Sequence, residues 1–141
     1  MYMKRRATML ILPCLVAGLV AGCGSGTDES AAAKQAMQSY LAAFASGDGA
    51  EACELLTDTA RAYVTGMSAT VGAHDCATAF AAVHDIGGSK VAKIASKTKI
   101  RHVDVEGSTA KVTLKSAAGD DAVAELEKSD GSWKIASLPN S

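Results

Sequence analysis

Large rings are scarce in this 141-residue chain: aromatic residues make up 4 %, and beyond position 22 they are Tyr40, Phe44, Tyr63, Phe80 and Trp133. Also missing is any apolar run near the ~20 residues that a membrane-spanning helix needs; Ala7 to Ala21 spans fifteen, broken by Pro13. There is no excess of positive charge, with 14 bases against 15 acids, so the chain does not read as a nucleic-acid binder. CxxC and HxxxH spacings are absent, as are a Ser-His-Asp arrangement, a phosphate loop and a carboxylate pair at diagnostic spacing. No reaction is written into the chain as a motif, and no cofactor is implied.

What is present begins at the N-terminus, "MYMKRRATMLILPCLVAGLVAGC". A basic head (Lys4, Arg5, Arg6), a short apolar stretch and small residues at its end have the layout of a secretory signal. The four residues Val20, Ala21, Gly22 and Cys23 resemble the lipobox of bacterial lipoproteins, with Cys23 in the lipidated position. That resemblance implies cleavage between Gly22 and Cys23, a diacylglyceryl thioether on Cys23 and usually acylation of its new amino group. Two or more acyl chains give stable anchoring where one does not. The expected organisation is a leader at 1–22, a lipidated Cys and polar tether at 23–30, and one domain at 31–141 on the outer face of the cytoplasmic membrane. Loss of the leader's three bases leaves eleven against fifteen acids, a net charge of −4.

Four cysteines then find destinations. Cys14 leaves with the leader and Cys23 is taken by lipid. Cys53 and Cys76 remain in an exported, oxidisable domain, which argues for one disulfide between them. A metal reading would join Cys53, His74 and Cys76, but no ligand spacing supports it and a fourth ligand has no source, so no metal site is expected.

The first half of the domain has helical period. Ser30 to Ser46 places Ala33, Met37, Tyr40, Leu41 and Phe44 on one stripe, with Gly47 as the stop. Asp48 opens a short helix that turns Cys53, Leu56 and Leu55 inward, and Thr57 caps a further helix ending at Gly66. "MSATVGA" reads as a loop. "HDCATAFAAVHDI" reads as another helix with Cys76, Phe80 and Val83 in apolar register, closed by Gly87–Gly88. From Lys90 the period falls to two. Asp130–Gly131 signals a two-residue hairpin that sets Leu126 against Ile135, Lys128 against Trp133 and Glu127 against Lys134. Ala110, Val112 and Leu114 alternate inward on the strand before. Near Gly107 two registers stay open: a two-residue loop turns Val103 and Arg101 toward the Val112 side, a three-residue loop His102 and Ile100. The sum is an α+β domain, N-terminal helices packed on a curved four-stranded antiparallel sheet.

"AMQSYLAAFASGDGAEACELLTDTAR", the helix with Cys76, "VDVEGSTAKVTLKS" and "SDGSWKIASL" together resemble small actinobacterial lipoproteins with a nuclear transport factor 2-like, cone-shaped domain. The resemblance spans about Ala31 to Leu138. It implies a cone between helices and sheet, for which Tyr40, Phe44, Tyr63, Phe80, His102 and Trp133 are the candidate lining residues. The superfamily includes isomerases, dehydratases and cyclases beside non-catalytic binding and assembly modules.

For chemistry in such a cone the candidates are Tyr40, Tyr63, His84, His102 and Asp104, and a catalytic carboxylate would need an apolar pocket. Each also has an ordinary role: Tyr40 and Tyr63 at the rim of the core, His84 at a helix end, His102 on a solvated strand. We therefore expect a membrane-tethered, non-catalytic module that binds a small apolar ligand or docks an envelope protein, with an isomerase-, dehydratase- or cyclase-type enzyme as the alternative. A cone filled by Met, Phe and Trp side chains would remove the basis for catalysis and for an enclosed ligand alike. Charge is uneven. Asp28 to Asp85 holds eight acids and two bases, Lys90 to Lys115 seven bases and two acids. The plain expectation for the basic stretch is a solvated face; the sharper one is a face for anionic headgroups or phosphate-bearing polymer.

Overall fold

Alanine dominates the stretch after Ser30, and such a helix former with larger apolar residues every three or four positions favours an amphipathic helix. The computed structural model describes residues 25–139; the leader, the Gly22/Cys23 cleavage site and the lipidation site lie outside the described residues. Helix α1 runs Ser25–Ser46. It buries Ala33, Met37, Tyr40 and Ala43, with Leu41 and Phe44 partly buried. It starts before Ser30, so residues 25–30 are helix rather than tether. The cause lies far along the chain. The Glu29 carboxylate accepts hydrogen bonds from the Lys128 ammonium and, at 2.9 Å, from Trp133 Nε1, which draws the first turns of α1 onto the sheet.

Gly47, at φ +77°, ends α1 in the left-handed conformation that glycine takes without steric cost. The Asp48 side chain accepts from the Glu51 backbone N–H and opens α2 (Gly49–Glu54); the Thr57 hydroxyl does the same from Ala60 for α3 (Asp58–Ser68). Helix α3 passes through Gly66, where it was expected to stop. It tightens into a single 3-10 turn at Ala69–Val71 and closes at Gly72, φ +80°. Most of the expected "MSATVGA" loop is therefore helical, because the left-handed residue that ends the run is Gly72.

Asp75 and Thr78 form a full capping box at the start of α4 (Cys76–Gly87). Cys76, Ala79 and Phe80 are buried while Val83 is exposed, which corrects the expected register at that position. Gly88, φ +52°, then bends the chain directly into a fifth helix, α5 (Ser89–Lys97), where strand had been expected from Lys90. Val91, Ile94 and Ala95 stand at i, i+3 and i+4, and Ala95 is the one buried.

Four antiparallel strands follow in the order β1 (Lys99–Glu106), β2 (Thr109–Lys115), β3 (Asp121–Ser129), β4 (Ser132–Ser137). The β3–β4 turn has Asp130 and Gly131 both at positive φ, and Leu126–Ile135, Glu127–Lys134 and Lys128–Trp133 pair as expected. The open register near Gly107 resolves as a two-residue loop, Gly107–Ser108, with Glu106 opposite Thr109 and Val103 opposite Val112. A bulge at Arg101 then shifts the phase, so that Ile100 faces Leu114 on the inner side and His102 pairs with Thr113 on the outer side. The helices cover the inner face, α1 touching β1, β2 and β4. Free β4 is partly capped by the α2–α3 link: Ile135 N–H donates to Leu55 C=O at 2.8 Å and Thr57 N–H to Ile135 C=O at 2.9 Å.

Candidate functional site

Between helices and sheet the space is filled. Tyr40, Phe44 and Phe80 form a triangle with ring centroids 6.1, 6.1 and 5.7 Å apart, one pair stacked and two edge-to-face. Met37, Leu56, Val112, Leu126 and Ile135 are fully buried around them. Burial pushes the Tyr40 phenol well above its ordinary range, so it stays protonated. Trp133 is buried too, its indole N–H spent on Glu29. That carboxyl is held below the usual range, first by the Lys128 hydrogen bond and then by the Trp133 one.

The six residues expected to line one cavity are thus dispersed. Tyr40, Phe44 and Phe80 pack on each other, and Trp133 closes against α1. Tyr63 stands on the outer side of α3 at 57 % exposure, beside a shallow groove with Ala136 and Leu138. His102 is exposed on the outer sheet face because the two-residue hairpin assigns the inner face to Val103. The remaining acid–base candidates are also peripheral. Asp104 lies across from Lys111 on the outer face, and His84 sits in the last turn of α4 against Gly47. Cys53 and Cys76 are bonded to each other, Cα atoms 6.0 Å apart, joining α2 to α4. Both sulfurs of the three-residue metal reading are consumed in that bond, and His74 points to solvent.

A roomier concavity with a partly apolar floor lies elsewhere, in a groove of about 580 Å³ between α1, α5 and the start of β1. Its floor is Leu41, Ala42, Ala45, Ala95 and Ile100. Three alanines on facing helices leave room that larger side chains would fill, and the Arg101 bulge is what turns Ile100 toward it. Lys34, Gln38 and Lys99 bring hydrogen-bond donors to the rim, while the Ser96 and Thr98 hydroxyls donate to the Lys93 and Ile94 carbonyls and leave their oxygens as acceptors. This size and mix suit a small organic ligand. A second hollow, about 240 Å³ on the outer sheet face, is lined by Asp104, Glu106, Glu125 and Glu127 around Lys111. Sequence reasoning missed the α1–α5 groove because one of its walls was read as strand; the i, i+3, i+4 spacing of Val91, Ile94 and Ala95 was the available signal.

One family model matches residues 28–138, and its description is "Putative lumazine-binding". The chain belongs to this family. Its place in the nuclear transport factor 2-like superfamily accords with five helices laid on a four-stranded antiparallel sheet among the described residues. The matched segment starts inside α1, one residue before Glu29, and ends just past β4, so the match covers the sheet and all of the groove. No curated protein and no solved structure matches the chain.

Proposed function

We propose that this protein is a ligand-binding module that holds a small, partly apolar molecule in the α1–α5–β1 groove. The observation that carries the reading is the contrast between the packed aromatic and aliphatic core and an open groove whose floor includes three alanines. The family's description supports ligand binding and names lumazine, a compact heteroaromatic, as the first probe. The isomerase-, dehydratase- or cyclase-type alternative rests on His102, Asp104, Tyr63 and Tyr40, and the first three of these stand outside the core.

In the same reading the module is exported and tethered by lipid on Cys23 to the outer face of the cytoplasmic membrane. With α1 starting at Ser25, a lipid there would hold the domain within a few residues of the bilayer, about 3.5 Å of reach per residue. No helix among the described residues is long and apolar enough to cross a membrane. Docking of an envelope protein is a second reading, supported by Tyr63, Met67 and Val71, which are 57, 62 and 52 % exposed at i, i+4 and i+8 on one side of α3 and its terminal turn.

Equilibrium dialysis with lumazine tests the first reading. The full chain should retain it, and Ala42→Phe, a change at an exposed position, should reduce retention at least about tenfold by filling the groove. Equal retention by both forms, or none by either, counts against it.

A further inference from the structure

Beside the groove the surface turns strongly basic. Lys97, Lys99, Arg101 and Lys115 line an adjoining hollow of about 500 Å³ that shares Ser96 and Lys99 with the groove. Two features make this more than a scatter of solvated lysines. Lys99 and Lys115 are direct cross-strand partners, an arrangement of like charges that costs stability in a sheet. Arg101, the unpaired residue of the bulge, lines the same hollow and so adds a third charge beside that pair. Among the described residues one carboxylate answers them: Asp121 reaches Lys115 at 3.2 Å, and both side chains are well exposed, which leaves that pair weak. An apolar trough therefore opens directly onto a shelf with a surplus of positive charge.

We propose, resting on the groove as the binding site, that its ligand is an anionic amphiphile. The apolar body lies over Ala42, Ala45, Ala95 and Ile100, and a phosphate or carboxylate head sits between Lys99, Arg101 and Lys115. The head relieves the Lys99–Lys115 repulsion, and Arg101 supplies a planar pair of donors. Lys34 on the opposite rim adds a further cation at the groove's other side. Each half alone holds its ligand more weakly than the two together, since the shelf is open to water and the trough is shallow.

Calorimetric titration of the full chain with four soluble probes separates the terms: octyl phosphate, octanoate, octanol and inorganic phosphate. Octyl phosphate should bind at least about tenfold more tightly than octanol and than inorganic phosphate, and added salt should weaken it. Comparison with octanoate assigns the head as phosphate or carboxylate. The exposed-site variant Arg101→Glu should remove the advantage of octyl phosphate while leaving octanol unchanged, Lys99→Glu should remove that advantage too, and Ala42→Phe should weaken all three alkyl probes. Equal binding of octyl phosphate and octanol, with Ala42→Phe still disrupting both, overturns the anionic head and leaves the groove standing. Inorganic phosphate binding as tightly as octyl phosphate overturns the amphiphile. Loss of all alkyl binding from the wild-type groove overturns the site itself.

Discussion

At the scale of single residues, Glu29 shows how far a side chain can act from its place in the sequence. One carboxylate takes a charge-assisted bond from Lys128 and an indole N–H from Trp133, and so ties the first turns of α1 to β3 and β4. Its depressed pKa fixes the sign of a pH effect. The stabilisation is present above the unfolded carboxylate range and is lost as pH falls through the folded value. Glu29→Gln should accordingly melt below wild type at neutral pH, with the two curves converging as the carboxyl protonates in acid; a gap independent of pH would contradict this. Gly49 is the second decisive residue. A Cβ there would come within 2.4 Å of the Ala77 carbonyl oxygen, so α2 and α4 can approach this closely only with glycine at that point. Gly49→Ala should lower unfolding free energy by about 1–3 kcal/mol in urea titration. An unchanged midpoint would mean that the helices part without cost.

Among the elements, α2 and α4 are held by that close approach and by the Cys53–Cys76 bond, 23 residues apart in sequence. Closing a loop of this length restricts the unfolded chain by roughly 3 kcal/mol on the entropy model. Peptide mapping of the unreduced chain should recover the two cysteines linked, and Cys53→Ala with Cys76→Ala should lose stability of that order; free thiols at both positions would contradict it. The elements also show which signals a sequence makes visible. The Asp130–Gly131 hairpin, the Thr57 cap and the α1 stripe were legible because each is set by residues within a few positions of one another. Gly66 misled, since a glycine can stay in helix and only the structure shows that Gly72 is the one at positive φ. Gly87–Gly88 was read as the end of the helical half. Gly88 is a bend between α4 and α5, and α5 is too short for its periodicity to stand out from the alternation that follows it. The hairpin at Gly107 was ambiguous for a physical reason: the bulge lets Val103 and Ile100 both face inward, so neither unbroken register describes β1.

Across the whole molecule, the absence of large side chains has two opposite consequences. In the interior rings are few, and four of the five, Tyr40, Phe44, Phe80 and Trp133, are drawn into the core where a cone cavity was expected, while Tyr63 stays outside it. At the α1–α5 junction the same alanine-rich composition leaves a trough unfilled. The fold class was legible because binary pattern and turn residues agree over most of the domain; the candidate site was not, because it depends on α5 and on a bulge that shifts one residue across the sheet. Charge is arranged along the same axis. The Glu29–Lys128–Trp133 corner anchors the start of α1, and the Lys97–Lys99–Arg101–Lys115 shelf lies at the other end of the sheet. Mass spectrometry of the mature N-terminus should find it at Cys23, bearing the diacylglyceryl thioether; an N-terminus elsewhere or a bare thiol would contradict the tether.

The central claim is that ligand is held in the α1–α5–β1 groove, and amide chemical-shift mapping of the isotopically labelled full chain during titration with lumazine and octyl phosphate tests it most directly. Shifts should concentrate at Leu41, Ala42, Ala45, Ala95 and Ile100, saturate with ligand and disappear in Ala42→Phe. Shifts confined to the Asp104–Glu127 outer face or to the Tyr63 side of α3, or no saturable shift at all, would contradict it.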